Sequence, residues 1–593
     1  MKSTYRNIAI AICFIALYSC EDNFLEKIPK DQITIEGYFN QDSDFRAYAY
    51  GLYNTFFGYG VGNVGNTNIP VTTDEMVGGN QDRSSRIFDT RIIPSSGGGW
   101  SWSRLRTINI MIREAQNTDL APEIKNHWEG VGRLFRALEY FNKVKSFGDV
   151  PWIDHELGTE SPELYMAQDP RSLVMENVLA DLNFAVENIR ENDGANLIDR
   201  YTALAIKSEI TLFEGTFRKY HTELGLTDFN SWLEESVLAS EKIMESGLFS
   251  LNPDYRTIHS SLDLSGNPEI ILYKQYEIGV LVNTQVRTTA LSNARSLTKD
   301  AVESYLSSDG LPFGISPLHS KAQNGIPESV FEEFENRDPR MGMTLAIPFN
   351  EGEPSPNDPA LIEANTQIKP DFLPSLLGEA GINSATGYGL YKWWNPESPY
   401  DDVNGITDAP LYSFNKILLN YAEAKAELGQ ANDEVLNRSI NLLRGRVGMH
   451  NLTIAIANSF DDPKKQKYAP EISNILWEIR RERRVELMGE GSRFDDILRW
   501  KKASYFGKPF VGAYIDLDNR PPSAYNPDGS NKAAVTLGDR DGNILPSTSR
   551  QGYILPYLER QPSWSDDDLK LYYSPISVQD LTINPNLQQV PGW

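Results

Sequence analysis

Cysteine is nearly absent from this 593-residue chain: its two, Cys13 and Cys20, both fall within the first twenty residues. Histidine is scarce as well. The six, His127, His155, His221, His259, His319 and His450, show no pair at helical ligand spacing and no His-Glu-x-x-His. Zinc sites and thiol nucleophiles are therefore not expected in the body of the chain. No Gly-x-Ser-x-Gly nucleophile elbow occurs. Gly60-Val61-Gly62-Asn63-Val64-Gly65 fits a Gly-x-Gly-x-x-Gly pattern, but the turn-forming Asn66-Thr67-Asn68-Ile69-Pro70 follows it where a dinucleotide site needs a helix, so it reads as a loop. Positive charge is in deficit, with 56 Lys and Arg against 81 Asp and Glu and a net charge of −25. Such a body repels phosphate backbones, which argues against a nucleic-acid partner. Past the first twenty residues no stretch has the length and apolarity of a membrane span.

What is present starts at the N-terminus. Lys2 and Arg6 precede an apolar run from Ile8 to Leu17, too short to span a bilayer and of secretory-signal length. It ends Leu17-Tyr18-Ser19-Cys20, which resembles the lipobox of bacterial lipoproteins, with Tyr18 bulkier than the usual residue there. Cleavage before Cys20 would leave a diacylglyceryl-bearing (palmitate-type) anchor, no free thiol and no disulfide. The mature charge would then be about −27. Stability must come from a hydrophobic core, which a chain of this size can build. Glu21-Asp22-Asn23-Phe24-Leu25-Glu26 follows, resembling the surface-export signal of Bacteroidetes lipoproteins.

The body alternates helical blocks with long irregular stretches. Over 127–147, Trp128, Val131, Leu134, Leu138, Phe141 and Val144 step by three and four along one helix face, and Gly148-Asp149-Val150-Pro151 ends it. Further helices are expected over about 172–190, 201–218 and 229–246. Two more are joined by Gly429-Gln430. The first carries Leu411, Phe414, Leu418, Tyr421 and Leu428, with Ala422, Ala424 and Ala426 permitting close approach of a neighbour; the second covers about 432–446. Paired amphipathic helices with short turns predict tetratricopeptide-like stacking. Between about 252 and 408 the helical period fades, with a short strand at Glu269-Ile270-Ile271-Leu272-Tyr273, and a second irregular region covers about 506–563. Loops this long are usually functional or disordered, and their aromatics argue for order.

The densest charge cluster runs Arg480-Arg481-Glu482-Arg483-Arg484-Val485-Glu486-Leu487 and continues through Glu490, Arg493, Asp495, Asp496 and Arg499 to Trp500. Six Arg and five acids between 480 and 499 nearly cancel, which suits bridges that pin two helices together better than a ligand site.

This block resembles the C-terminal signature of the SusD/RagB family, the starch-utilisation-type outer-membrane lipoproteins of Bacteroidetes: an Arg/Glu-rich run, Glu-Leu, Glu-Gly-x-Arg, Asp, then Arg-Trp. Cys20 to Leu25 resembles the family's start. Leu134 to Pro151 resembles its first long helix ending Phe-Gly-Asp-Val-Pro. Leu419-Asn420-Tyr421-Ala422-Glu423-Ala424 with Asn441 to Gly448 resembles its Tyr-Ala-Glu-Ala helix and Arg-x-Arg-x-Gly. Tyr573-Ser574-Pro575-Ile576-Ser577, Asn584-Pro585-Asn586-Leu587 and Pro591-Gly592-Trp593 resemble its closing run, with Ser577 and Val590 in place of the usual Pro and Asn.

The resemblance implies a mainly α fold, an α-α superhelical scaffold of tetratricopeptide-like helix pairs with long irregular loops and a few short strands. It implies a signal peptide at 1–19, a lipidated tether at 20–30 and a single glycan-binding domain over 31–593, with scaffold at 100–250 and 409–500 and loop-rich insertions at 251–408 and 506–563. It also implies no catalysis, no cofactor and no metal. The protein would capture oligosaccharide on the outside of the outer membrane and deliver it to a TonB-dependent, SusC-like transporter that it caps. The signature residues Arg483, Glu486, Glu490, Arg493, Asp495, Arg499 and Trp500 fall on the scaffold. Glycan contacts are expected from loop aromatics, because the C–H face of a pyranose is apolar while its hydroxyls need hydrogen bonds. The candidates are Trp100 after Gly97-Gly98-Gly99, with Trp102 more suited to capping the next helix, and Trp393-Trp394 beside Asn395. Adjacent residues of a strand face opposite ways, so one ring of that pair at most is expected to be exposed. Core packing is the competing reading for each ring. Arg83 and Arg86 could meet acidic sugars or remain solvated charge. A glycoside hydrolase and a protein-binding helical scaffold are the alternative functions.

Overall fold

The computed structural model describes residues 37–60, 73–78, 84–285, 295–347, 384–395, 397, 404–518, 536–559 and 561–593. Both cysteines, the signal and tether segments, Arg83 and the Gly-x-Gly-x-x-Gly pattern beyond Gly60 lie outside the described residues.

The N-terminal half is a stack of helices: α1 (Asp42–Tyr50), α2 (Ser103–Asn117), α3 (Pro122–Phe147), α4 (Arg171–Asn188), α5 (Arg200–Tyr220) and α6 (Phe229–Glu245). From α2 onward each helix packs on its neighbours in sequence, the arrangement of a tetratricopeptide-like superhelix. Local sequence sets the ends. Pro122 opens α3 where its missing N–H costs nothing, and Gly148 closes it. The Asp199 carboxylate accepts the Thr202 N–H at 2.8 Å to start α5, a cap worth about 1 kcal/mol. All six residues of the α3 stripe are buried. Burial goes beyond that stripe, to Ala137 and Tyr140, because α3 is sandwiched between α2 and α4. Gly132 lets α2 approach closely: a Cβ there would stand 2.7 Å from Ile112 Cγ1.

The chain then leaves the stack. Strand β1 (Met76–Val77) pairs antiparallel with β3 (Ser296–Leu297), and β2 (Ile270–Lys274) with β4 (Ala409–Ser413). Helix α7 (Phe414–Glu427) starts directly from β4 and returns the chain to the stack, packing on α6. Leu411, expected on that helix, lies in the strand; Tyr273 opposite Pro410 holds the extended backbone. The helix expected over 432–446 is two, α8 (Asp433–Asn437) and α9 (Ile440–Arg446). They break at Ser439, whose hydroxyl donates to the Val435 carbonyl at 2.6 Å. Helices α10 (Pro463–Tyr468), α11 (Asn474–Glu486) and α12 (Ser492–Arg499) follow, then a sheet of β5 (Tyr514–Asp516), β6 (Leu537–Gly538) and β7 (Gln551–Ile554) in the order β5-β7-β6.

Two large hydrophobic clusters dominate the described residues. The larger underlies the helices; the second, built from Tyr305, Tyr388, Trp393, Val485, Ile515 and their neighbours, underlies the loop-rich part. Each fully buried Val, Leu or Phe contributes about 1.5–3 kcal/mol. The irregular segments are therefore draped over a core of their own.

Candidate functional site

A cleft of 440 Å3 opens where the helical stack meets the loops. One wall is α3 and α5, with Phe141, Lys145, Glu209 and Phe213; a second is Tyr412 on β4 with Lys416 and Asn420 on α7. The loop Phe56-Phe57-Gly58-Tyr59 forms the rim. Gly58 takes φ +61, and a Cβ there would stand 2.8 Å from both Lys274 Cδ and the Tyr276 hydroxyl, so only glycine lets this loop turn against β2. The turn leaves the Phe57 ring 52% exposed while Tyr59 is anchored, its N–H donating to the Tyr276 hydroxyl at 2.9 Å. Phe56 meets Tyr412 edge to face at 6.2 Å, and Phe141 meets Phe213 in the same way at 5.1 Å. The Lys145 ammonium lies 4.7 Å over Phe141 and bonds Asp495 at 2.7 Å. Rings and hydrogen-bonding groups thus alternate around a space within the ~300–1,000 Å3 of small-ligand pockets.

The floor is the charge cluster of α11 and α12. Arg499 donates to both oxygens of Glu423 at 2.6 Å, and the Trp500 indole N–H donates to the same carboxylate at 2.7 Å. Arg483 bridges Asp496 at 2.9 Å and Asn420 at 2.8 Å. Arg493 forks onto Asp74 at 2.8 and 2.9 Å. Glu486 receives Arg340 at 2.9 Å, Asn415 at 3.1 Å, and Arg446. Arg483 and Glu486, three apart, do not pair with each other; each reaches a different element. Glu490 lies beyond the end of α11, in the turn to α12; it accepts from Lys392 at 2.6 Å, and His259 Nε2 stands 3.0 Å from it. Burial alone would raise the Glu490 carboxyl, but Lys392, His259 and Lys416 outweigh it and hold it well below the usual range. Burial also pulls His259 down to about 4 against the pull of Glu490, so its ring is neutral at pH 7. Arg483, Glu486, Glu490, Arg493 and Arg499 are thus each engaged with acceptors or donors of the protein itself. Phe57, Tyr412, Lys416 and Glu209 are wall groups that could meet a guest.

The tryptophans are placed differently from one another. Trp393 and Trp394 lie in a turn and not in a strand, and both are buried, at 1% and 2% exposure. At most one ring is expected to be exposed, and neither is: the Trp393 ring fills the second core, and a Cβ at Gly489 would lie 2.8 Å from its edge. Trp393 still reaches the deep wall of the cleft. The Asn395 amide is spent on the Ser260 carbonyl at 2.7 Å. Trp100 and Trp102 are half-buried and meet edge to face at 5.2 Å; Trp100 also stands on Phe147 at 5.0 Å, and Lys143 lies 5.1 Å over Trp102. Trp102 occupies the N-cap position of α2 without a side-chain capping bond. A 460 Å3 recess lined by Ser101, Ser103, Arg104, Glu139 and Lys143 borders this pair. Arg86 is engaged, donating to the Leu571 carbonyl and to Ser574 at 3.3 Å, with its guanidinium 5.0 Å over Phe494. Sequence reading missed Phe57, Tyr412 and Glu209, which no motif joins: they stand on a loop, a strand and a helix far apart in the chain. Among the described residues, no group of three or more His, Cys, Asp or Glu could hold a metal ion, and no helix is long and apolar enough to cross a membrane.

The SusD family profile matches residues 273–593, more than half of the chain, and the chain belongs to that family. SusD-like protein P2 of Formosa agariphila is 22% identical over 372 residues, 62% of this chain and 63% of that protein. The chain therefore spans just under two thirds of the length of that relative. A SusD-like protein of Bacteroides ovatus is 20% identical over 58% of this chain and 69% of its own length. Among solved structures, a SusD-like carbohydrate binding protein from Bacteroides fragilis superposes with a TM-score of 0.65 at 19% identity, covering 93% of this chain and 100% of that one. NanU of B. fragilis gives 0.55 at 18% identity, over 95% and 99%. At these identities the likeness is one of fold.

Proposed function

We propose that this protein captures oligosaccharide at the cell surface and passes it to a TonB-dependent, SusC-like transporter in the outer membrane. The observation that carries the reading is family membership over 273–593 together with a fold shared along nearly the whole chain with a SusD-like carbohydrate binding protein. The cleft supports it: the exposed Phe57 ring and Tyr412 offer flat apolar area to a pyranose face, while Glu209 and Lys416 can meet hydroxyls. Trp100 and Trp102, half-buried and next in sequence to Ser101 and Ser103 of the 460 Å3 recess, are a second candidate for stacking. Calorimetry against a panel of oligosaccharides tests the binding half, and co-purification of the transporter with the tagged protein tests the delivery half. Binding to no glycan while the transporter is retained would instead make this a protein-binding scaffold, and release of reducing ends from a polysaccharide would make it an enzyme.

Anchoring follows from Leu17-Tyr18-Ser19-Cys20. A single acyl chain binds membranes only marginally, whereas two or more hold stably. Cys20→Ala is expected to move the protein from the membrane to the soluble fraction; a variant that survives a carbonate wash on the membrane would refute lipidation at this residue.

A further inference from the structure

Apart from the cleft, a small pocket of 40 Å3 lies where α10 and α11 meet Trp500, Tyr505 and Lys508. Its charged lining is one-sided: Lys464, Arg480, Arg481, Arg484, Arg493 and Lys508 face it, with Asp300 the single carboxylate among the described lining residues. Arg481 bonds Glu478 at 3.0 Å and also Asp462, and Arg480 bonds Glu427 at 2.7 Å. The other four draw chiefly on two carboxylates. Asp300 takes Lys464 at 2.9 Å, Arg484 at 2.9 Å and Lys508 at 3.1 Å; Asp74 takes Arg493 at 2.8 Å and Lys508 at 2.9 Å. Two further acids do little to restore balance. Glu303, 3.1 Å from Lys464, is shared with Arg540 at 2.7 Å. Burial raises the Glu75 carboxyl to about 7 despite the pull of Arg484 and Arg493, so near neutrality it supplies less than a full charge.

Hydrogen bonding is incomplete in the same place. Arg484 Nε and Nη2 and Arg480 Nε are buried without a hydrogen-bond partner, on side chains only 8% and 5% exposed. Asp74 and Glu75 stand 3.3 and 3.4 Å from the two Arg484 nitrogens without the alignment of a bond. Leaving charged donors buried and unmet is costly, and a small anion in the pocket would accept these bonds. A water needs about 10–15 Å3 measured in this way, so the pocket has room for an anion of a few heavy atoms and none for a sugar ring.

We propose that this pocket is a binding site for a small monovalent anion, of the size of chloride or one carboxylate group, held by Arg480, Arg484 and Lys508. It is independent of the glycan reading. It would fasten α11 to the Asp74 and Asp300 segments, joining the helical stack to the loop-rich part.

The test uses the whole protein, melted at constant ionic strength while sodium gluconate, too large for the pocket, is replaced by sodium chloride or by sodium acetate. Between 1 and 200 mM chloride the melting temperature should rise by about 1–2 °C, and above the dissociation constant it should climb with the logarithm of chloride concentration, as ligand linkage requires. A matching rise in acetate shows that the pocket also takes a carboxylate; a rise in chloride alone makes it a halide site. Crystals soaked in sodium bromide should give an anomalous peak within hydrogen-bond distance of Arg484. Arg484→Gln should abolish the chloride increment, and if that variant does not fold the bromide peak in the unaltered protein decides. Identical melting in all three salts, with no bromide peak in the pocket, overturns the proposal.

Discussion

Replacing Glu486 by alanine should lower the melting temperature by many degrees and leave the glycan affinity of the surviving folded protein unchanged. The carboxylate is fully buried and receives Arg340, Arg446 and Asn415. Burial alone would raise its pKa, yet Arg446 and Arg340 hold it at about 2, so it is charged throughout the neutral range. Its folded pKa lies below the unfolded value near 4.5, so its contribution is present above about 4.5 and disappears as pH falls toward 2. Removing it leaves two guanidinium groups short of negative charge in a dry interior, a loss of about 3–5 kcal/mol. Arg340 retains Asp338 and Glu482, and Arg446 retains Glu269, so the deficit is partly shared. Glu486→Gln, which keeps an acceptor for Asn415 but not the charge, should fall between. Melting curves with calorimetry on the same samples decide: a variant of native stability that has lost only glycan binding would make this a ligand residue.

The second large effect separates rings that meet the guest from rings that build the core. Phe57→Ala should weaken glycan binding about thirtyfold, the ~2 kcal/mol of an interface hot spot, with little change in melting temperature, because half of the ring already faces solvent. Trp393→Ala should do the reverse first. Its ring is 1% exposed and packs in the second core, so truncation opens a cavity costing about 3–5 kcal/mol. Trp100→Ala lies between, since the ring is half-buried on Phe147. If Phe57→Ala binds normally while Trp100→Ala binds thirtyfold more weakly at full stability, the ligand sits on the recess beside Trp100 and not in the cleft.

The helices were legible wherever a single apolar stripe decided burial, as on α3, where Trp128 through Val144 all go inward. Legibility failed where a partner distant in sequence overrode local spacing. Leu411 continues the period of Phe414 and Leu418, but pairing with β2 draws it into a strand. Trp393 and Trp394 have the composition of a binding loop, yet nothing nearby in sequence announces the core of Tyr305, Tyr388 and Ile515 that receives the first of them. The cluster 480–499 could be recognised as self-compensating, but its partners could not be found: Arg493 meets Asp74, Arg484 meets Asp300, and Arg340 meets Glu486. The cleft was invisible for the same reason, since its rim, strand and helices become neighbours only when the chain is folded.

Those long-range pairs also impose an order of assembly. Helices α2 to α6 contact their neighbours in sequence and can condense as soon as they are synthesised, whereas Asp74 must wait for Arg493, 419 residues later, to gain its fork. Contacts of such separation form slowly because the intervening chain must first be closed into a loop. Pulse-labelled hydrogen exchange during refolding should accordingly protect amides of 122–245 early and those of 74–77 last; simultaneous protection of both would show that the two halves nucleate together. Until the last hundred or so residues arrive, the segments around Asp74 and Asp300 carry carboxylates with no counter-ions and stay solvated, which keeps the unfinished loop half open and disfavours premature collapse.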